Sequence, residues 1–297
     1  MSLAAGTTVR LETVREAPPN GFILTDGERS VLLPYGEIAG ERPNPGDLVE
    51  VFLFHDTLDR LTATTRKPLL RLGGVARLKV ADAHPRYGCF LEMGLGRQLL
   101  LPNAELPRER ELRPLPGDEV FVRMAHDKSG RIIAELAEEA DLEKLTVSAP
   151  AAWFNRTVRG WVTRLVKAGA FVFVEGEALR AGVLGLIPHT EQSRPLRLGE
   201  VFEARVTYVR DDGRVNLSMR PRKEIGREED AGRILAYLRG RNTGAMPYSD
   251  ETPPDVIRRK FGISKAAFKR ALGKLMREGV VRQEGSWTYL NDQQDQP

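Results

Sequence analysis

Aromatic side chains with arginines close by are the residues in this chain best suited to chemistry, and that chemistry is non-covalent. Tyr87 and Phe90 stand three apart around a bend in RYGCF, with Arg86 beside them and Arg131 in the strand pair that follows. Phe171 in GAFVFV has Arg214 as its counterpart, and Trp161, Arg205 and Tyr208 lie on neighbouring apolar runs. Rings carried on strands offer flat faces for unpaired bases, and guanidinium groups beside them meet phosphate. A second set of cations follows later. Lys265, Lys269, Arg270, Lys274 and Arg277 fall opposite the apolar positions Phe268, Ala271, Leu272, Leu275 and Met276, which recur at helical spacing. Such a face is dense enough to reach phosphates in a groove, and it equally fits a solvated basic surface.

Each ring has a plainer reading beside it. Phe171 and Phe173 share an unbroken apolar run, so one of them belongs to a core. Phe52 and Phe54 fit a second apolar face that meets another domain. Asp127 lies four before Arg131, as Asp56 lies four before Arg60; such pairs brace turns as readily as they touch a ligand. An exposed pair of that kind is worth at most about 1 kcal/mol. Covalent chemistry is poorly provided for. His55, His84, His126 and His189 are scattered without ligand spacing, and Cys89 is the single cysteine, so neither a metal nor another cofactor is expected. Neither G-x-x-x-x-G-K nor G-x-S-x-G occurs, and the acids of LAEEADLEKL read as a charged helical face rather than a two-metal nuclease cluster. The expectation is a protein that is not an enzyme.

The elements that must carry these groups are short strands. Apolar runs of four to eight residues are parted by Gly, Asp and Pro, and the pattern occurs three times. Each copy has an aromatic strand and then an apolar run ending in proline (Pro34, Pro102, Pro188). A Gly-acidic turn follows (Gly46-Asp47, Gly117-Asp118, Gly199-Glu200). Last comes an alternating strand closing on an arginine after a turn (Arg60, Arg131, Arg214). Those arginines are 71 and 83 positions apart, which makes each repeat a whole small domain rather than a solenoid unit. Gly169 marks a sharp bend ahead of Phe171, and Gly213 in DDGR supplies a positive φ for a hairpin. Between the second and third copies, Ala137, Ala140, Leu142 and Leu145 could line one side of a short helix.

Beyond residue 223 the texture changes to helices. Ile234, Leu235 and Leu238 share a helical face. Thr252 is placed to cap a helix with Pro253, Pro254 and Asp255 in its first turn, Gly262 closes it, and Ser264 caps the next. Two β runs, Val280 to Gln283 and Trp287 to Leu290, end the pattern. Helix, helix-turn-helix and hairpin is the order of a winged helix.

Mainly β architecture is therefore expected: three tandem five-stranded barrels over residues 1–67, 68–147 and 148–223, then an α+β winged-helix domain over 224–297. Charge divides unevenly along that scheme. Basic and acidic residues number 7 and 10 in the first segment, 12 and 13 in the second, 13 and 7 in the third, and 13 and 11 in the last. The positive excess sits on the third barrel, the electrostatic footprint of a phosphate-backbone binder. No run approaches a membrane span, the opening residues lack a signal pattern, and a lone cysteine suits a reducing compartment. A cytoplasmic location without membrane contact is expected.

In the third copy Gly160-Trp161-Val162, GAFV, GLIP and DGRVNLSM occur in the order that resembles the ribosomal S1-type domain, a five-stranded barrel of the oligonucleotide-binding fold. In that domain two aromatics, a histidine, an acid and an arginine share the nucleic-acid face. The resemblance implies that role for Tyr87, Phe90, Asp127 and Arg131, with Pro102 where the histidine belongs. In the third copy it implies the role for Phe171 and Arg214, with Ala168 at the first aromatic, His189 one place past the histidine position, and Arg210 at the acid. Exchanging a carboxylate for a guanidinium favours phosphate and removes an acceptor that could read a base. The first copy keeps Phe22, Asp56 and Arg60 and is net acidic, so its expected role is structural.

Three such barrels and a winged helix resemble the conserved virulence factor B (CvfB) family of bacterial RNA-binding regulators. SKAAFKRALGKLMREGVV in particular is similar to that family's S-K-x-x-F-K-x-A-x-G-x-L segment. The resemblance implies single-stranded RNA as partner and control of gene expression after transcription, while the winged helix could meet duplex nucleic acid or a protein. Two other readings stay open: a DNA-binding transcriptional regulator acting through the winged helix, and a ribonuclease or ribonuclease accessory.

Overall fold

The computed structural model describes residues 3–176, 181–221 and 223–291. Five strands, β1 (Thr8–Ala17), β2 (Gly21–Thr25), β3 (Ser30–Pro34), β4 (Leu48–His55) and β5 (Leu61–Thr64), close into a barrel in the order β1-β2-β3-β5-β4. The second module repeats them as β6 (Val75–His84), β7 (Gly88–Leu95), β8 (Arg97–Pro102), β9 (Glu119–His126) and β10 (Ile132–Leu136). Here the sheet runs β10-β9-β6-β7-β8, with no ladder joining its two edges. After a helix of five residues, α1 (Glu139–Glu143), come β11 (Thr157–Val166), β12 (Gly169–Val174), β13 (Val183–Pro188), β14 (Val201–Val209) and β15 (Val215–Ser218). These close like the first barrel, through a parallel contact of β13 with β15.

One device recurs where each barrel bends. Gly21, Gly88 and Gly169 open the second strand with φ of 150°, 130° and 156°. A Cβ at these positions would lie 2.0, 2.1 and 2.2 Å from the carbonyl oxygens of Leu33, Leu101 and Ile187. Only glycine lets the hairpin partner's backbone come that close. Gly169→Ala is therefore expected to cost about 3 kcal/mol or more. Urea unfolding of the full chain would read the loss, and an unchanged midpoint would refute the steric account.

Barrels are docked through apolar side chains and backbone bonds. Phe52 and Phe54, on the outer side of β4, are buried in one cluster with Leu70, Leu78, Met93 and Leu95 of the second module. The Leu72 amide donates to the Gly6 carbonyl at 2.8 Å. Phe121 on β9 joins Leu142 of α1 and Trp161, Phe173 and Leu184 of the third barrel in another cluster. Amides of Glu119 and Leu198 donate across that junction to the carbonyls of Gly199 and Leu112, each at 3.0 Å. Residues 1–220 form one compact unit as a result.

α1 is shorter than the apolar spacing suggests. Leu142 is buried, Ala137 and Leu145 pack beside it from just outside the helix, and Ala140 is exposed; a capping box between Glu138 and Asp141 starts the turn.

Residues 221–297 form the second unit. It contains α2 (Lys223–Arg239), β16 (Ala245–Met246), α3 (Pro254–Phe261), α4 (Lys265–Arg277), β17 (Val281–Glu284) and β18 (Trp287–Leu290), with a three-stranded sheet in the order β16-β18-β17. Ile234, Leu238, Ile257, Phe261, Phe268, Leu272 and Leu275 fill its core. Ser264 caps α4, accepting from the Ala267 amide at 3.2 Å, and Gly262 ends α3 at φ 70°. The cap of α3 is displaced from the expected position. Pro253 holds the N-cap without a side-chain bond, and the Thr252 hydroxyl instead accepts from the Ser249 amide at 2.8 Å.

Candidate nucleic-acid interface

Strand register sets the side chains on the outside of the third barrel in one row. Arg164 on β11 pairs with Phe171 on β12, Phe171 with Leu186 on β13, Leu186 with Asn216 on β15, and Asn216 with Tyr208 on β14. Two bulges make this row. One between Val162 and Arg164 turns Arg164 outward although Val162 points in, and one between Val206 and Tyr208 does the same for Tyr208. Tyr208 is 52% exposed, Arg164 is exposed, and Phe171 is half-buried, while Phe173, two places on along the same side, is buried in the junction with the second module rather than in the barrel core. Arg164 was not among the residues singled out from sequence; the bulge hides it from any count by alternation. His189 is exposed at the edge of this face, its amide bonded to the Ala168 carbonyl at 2.9 Å.

Arg205 stands further along β14, half-buried, with Nη1 donating to Asn155 Oδ1 at 3.1 Å. Asn155 holds φ at 65°, and its neighbour Phe154 is exposed, a ring absent from the sequence-based set. Trp161 must be removed from that set. At 2% exposure it lies in the junction with the second module, 6.5 Å from Phe121 and edge-on, with the Arg77 guanidinium 3.5 Å above its ring. A ring so covered offers no face to a base.

The matching positions of the other barrels are depleted. Phe90 pairs with Leu100 as Phe171 does with Leu186, but Asp82 stands where Arg164 would be. In the first barrel the position belongs to Ile23, paired with Leu32, and Phe22 points into the core. Sequence alone favoured Phe22 as the surviving ring, and the register corrects that by one residue. Phe90, half-buried, shares a cleft of about 540 Å³ with Arg131, Arg97 and the Asp56–Asp59 hairpin of the first barrel. Tyr87 stands outside that cleft lining, 50% exposed, stacked on His84 at 4.6 Å with the Arg86 guanidinium 5.6 Å from its ring.

The Asp–Arg pairs brace hairpins. Asp127 Oδ1 accepts from the amides of Ser129 and Arg131 at 2.8 and 3.0 Å, and Oδ2 from Arg131 Nε at 2.9 Å. Burial pulls the Asp127 carboxyl upward, but the Arg131 and Ser129 bonds outweigh it and hold the pKa low. Asp56 repeats the arrangement with Arg60, whose side-chain bond brings it down to about 2. In the third barrel Arg210 replaces the acid, and Asp212 takes over the turn, accepting from the Arg214 amide at 3.1 Å. Arg210 itself is held by Asp212 at 2.8 Å.

Arg214 faces a cleft of about 740 Å³ between the second and third modules, lined also by Phe171, Arg164, Arg210, Glu109 and Leu186. Its guanidinium forks onto α1, with Nη1 2.5 Å from Glu139 Oε1 and Nη2 2.8 Å from Glu143 Oε1. Glu139 is the main cause of a pKa raised above the ordinary arginine value.

On the winged helix the expected cations are largely committed. Lys274 is only 21% exposed, pairing with Glu228 of α2 at 3.3 Å and Glu278 at 3.7 Å, so it belongs to the packed side of α4. Lys265 reaches the Glu251 carbonyl at 3.4 Å, and Lys269 pairs with Asp250 at 3.4 Å. Arg270 is exposed. Trp287 and Tyr289 on β18 lie near-parallel, 6.4 Å apart, with the Arg282 guanidinium 5.3 Å from Tyr289.

No group of three metal-ligating side chains occurs among the described residues, and none of their helices is long and apolar enough to cross a membrane. Family models match in series: an S1 domain over residues 5–66, the CvfB first S1-like domain over 76–135, the second domain of virulence regulatory factor CvfB over 142–221, and the CvfB-like winged helix domain over 232–290. A Bacillus subtilis protein, uncharacterized protein YitL, is 39% identical over 91% of this chain and 88% of its own. The chain belongs to the CvfB family. Conserved virulence factor B of Staphylococcus saprophyticus is 28% identical over 80% of the chain and 77% of that protein. The chain is also similar to a crystal structure from Streptococcus pneumoniae, described as a multidomain protein with nucleic acid binding domains. It aligns with a TM-score of 0.63 and 30% identity over 97% of this chain and 98% of that one. S1-type barrels and a CvfB-like winged helix support nucleic acid as the partner.

Proposed function

We propose that this CvfB-family protein is a non-enzymatic binder of single-stranded RNA, that its third barrel makes the principal grip with the second contributing, and that it regulates gene expression after transcription in the cytoplasm. The observation that carries the reading is the pairing of Arg164 with Phe171. At this register the third barrel pairs a ring with a cation where the second pairs Phe90 with Asp82, and a ring beside a cation is what base stacking beside phosphate contact requires. Phe90 with Arg131, and Tyr87 with Arg86, supply further rings beside cations on the second barrel. Burial pushes the Cys89 thiol up, which suits an inert core side chain rather than a nucleophile.

A DNA-binding role for α4 is less well served, because Lys265, Lys269 and Lys274 already have partners within their own domain. Filter binding of the full chain to oligo-RNA and to duplex DNA tests the choice. RNA is expected to bind tighter by 10-fold or more, and Lys269→Ala with Arg270→Ala is expected to change RNA affinity by less than about 5-fold. Preferential duplex binding abolished by that pair of substitutions would establish the rival reading.

A further inference from the structure

One phosphate-seeking group of the third barrel, Arg214, is already occupied by the protein itself. Arg214 presents two parallel donors, and Glu139 and Glu143 of α1 accept them at 2.5 and 2.8 Å. Two oxygens on a guanidinium fork is also how a phosphate binds arginine. Both carboxylates are about half exposed, and Glu139 and Arg214 line the cleft that holds Phe171 and Arg164, so a ligand lying on that face reaches the same fork. Among the described residues, nothing fixes either carboxylate from behind. No other hydrogen bond or ion pair to Glu139 or Glu143 side-chain oxygens is recorded among the described residues, whereas Asp127 and Asp56 are each pinned by two backbone amides. α1 is held by Leu142, with Ala137 and Leu145 packed at its flanks and Asp141 paired with Arg123 and Lys144, so the exposed Glu139 and Glu143 side chains can let go without unpacking the barrels.

We propose that Glu139 and Glu143 act as a built-in competitor at Arg214, standing in for a phosphate that an RNA strand must displace before the third barrel is fully engaged. This rests on the RNA-binding reading above. It gives the acidic segment between the barrels a function, and it makes affinity adjustable at a point remote from the stacking rings. While the carboxylates hold Arg214, the RNA phosphate that would meet it keeps its condensed cation, so this contact adds nothing to counterion release until they let go.

The test is RNA titration of the full chain carrying Glu139→Gln and Glu143→Gln, alongside the wild type, at several salt concentrations. Glutamine keeps the side-chain size and removes the competing charge. Affinity for oligo-RNA is expected to rise about 5-fold at low salt, as fits the loss of two exposed ion pairs. The slope of log affinity against log salt is expected to steepen by about 0.7, one phosphate contact on a single strand. The gain must vanish when Arg214→Ala is added, and Glu109→Gln, which lines the same cleft without touching Arg214, must not reproduce it. Unchanged or weaker binding, or equal tightening with Glu109→Gln or in the Arg214→Ala background, would overturn the competitor. If neither wild type nor variant binds RNA, the RNA reading itself fails; binding by the wild type with no gain in the variant sinks only the competitor.

Discussion

Replacing Phe171 and Arg164 together by alanine is expected to weaken single-stranded RNA binding by about 100-fold at low salt, with the melting temperature held near wild type. Loss of one base stack costs about 1–3 kcal/mol, and loss of the neighbouring cation adds a phosphate contact. Their β-ladder pairing makes the two effects non-additive, so each single substitution should account for more than half of the loss in logarithmic terms. Phe171 is half-buried on the outer surface, and the core below is filled by Val172, Ala170 and Phe202, so stability should survive. Matching losses of stability and affinity would mean that the ring supports the barrel instead of the ligand.

Trp161→Ala should do the opposite. The indole closes the junction of the second and third modules against Phe121, Phe173 and Leu184, and a tryptophan truncated at such a site costs about 3–5 kcal/mol. Arg77 loses the ring it lies over at the same time. Urea unfolding should show the destabilisation plainly, while RNA affinity measured where the variant remains folded should stay within about 3-fold. Wild-type stability with lost affinity would return Trp161 to the ligand face.

The barrels were readable from sequence because turn glycines, proline-ended apolar runs and a spaced arginine repeat in the same order three times. What a ring does was less legible, since it depends on register and on neighbours. Trp161 is aromatic, follows a glycine and lies beside a cation, yet a second module covers it. Phe52 and Phe54 were read correctly as a contact between domains, because two rings at alternate positions demand an apolar partner. Arg164 and Tyr208 reach the surface through bulges, and a single inserted residue inverts every inference drawn from alternation. Arg214 was recognised, but its engagement with Glu139 and Glu143 joins residues more than 70 positions apart through a docking that no local pattern encodes. On α4 the helical period separated core from surface correctly for Phe268, Ala271, Leu272 and Leu275. It could not tell that α2 covers the flank carrying Lys274.

The third barrel is closed by its shortest join. Two parallel pairings, Gly185 with Val215 and Leu186 with Asn216, are all that fasten β13 to β15, and the row from Phe171 to Tyr208 runs straight across them. A strand of nucleic acid bound along that row, as proposed above, would act as a hoop over this pair of staves. Occupancy and closure of the barrel would then be linked, so that loosening the seam at Gly185 and Val215 would weaken the grip from beneath the row.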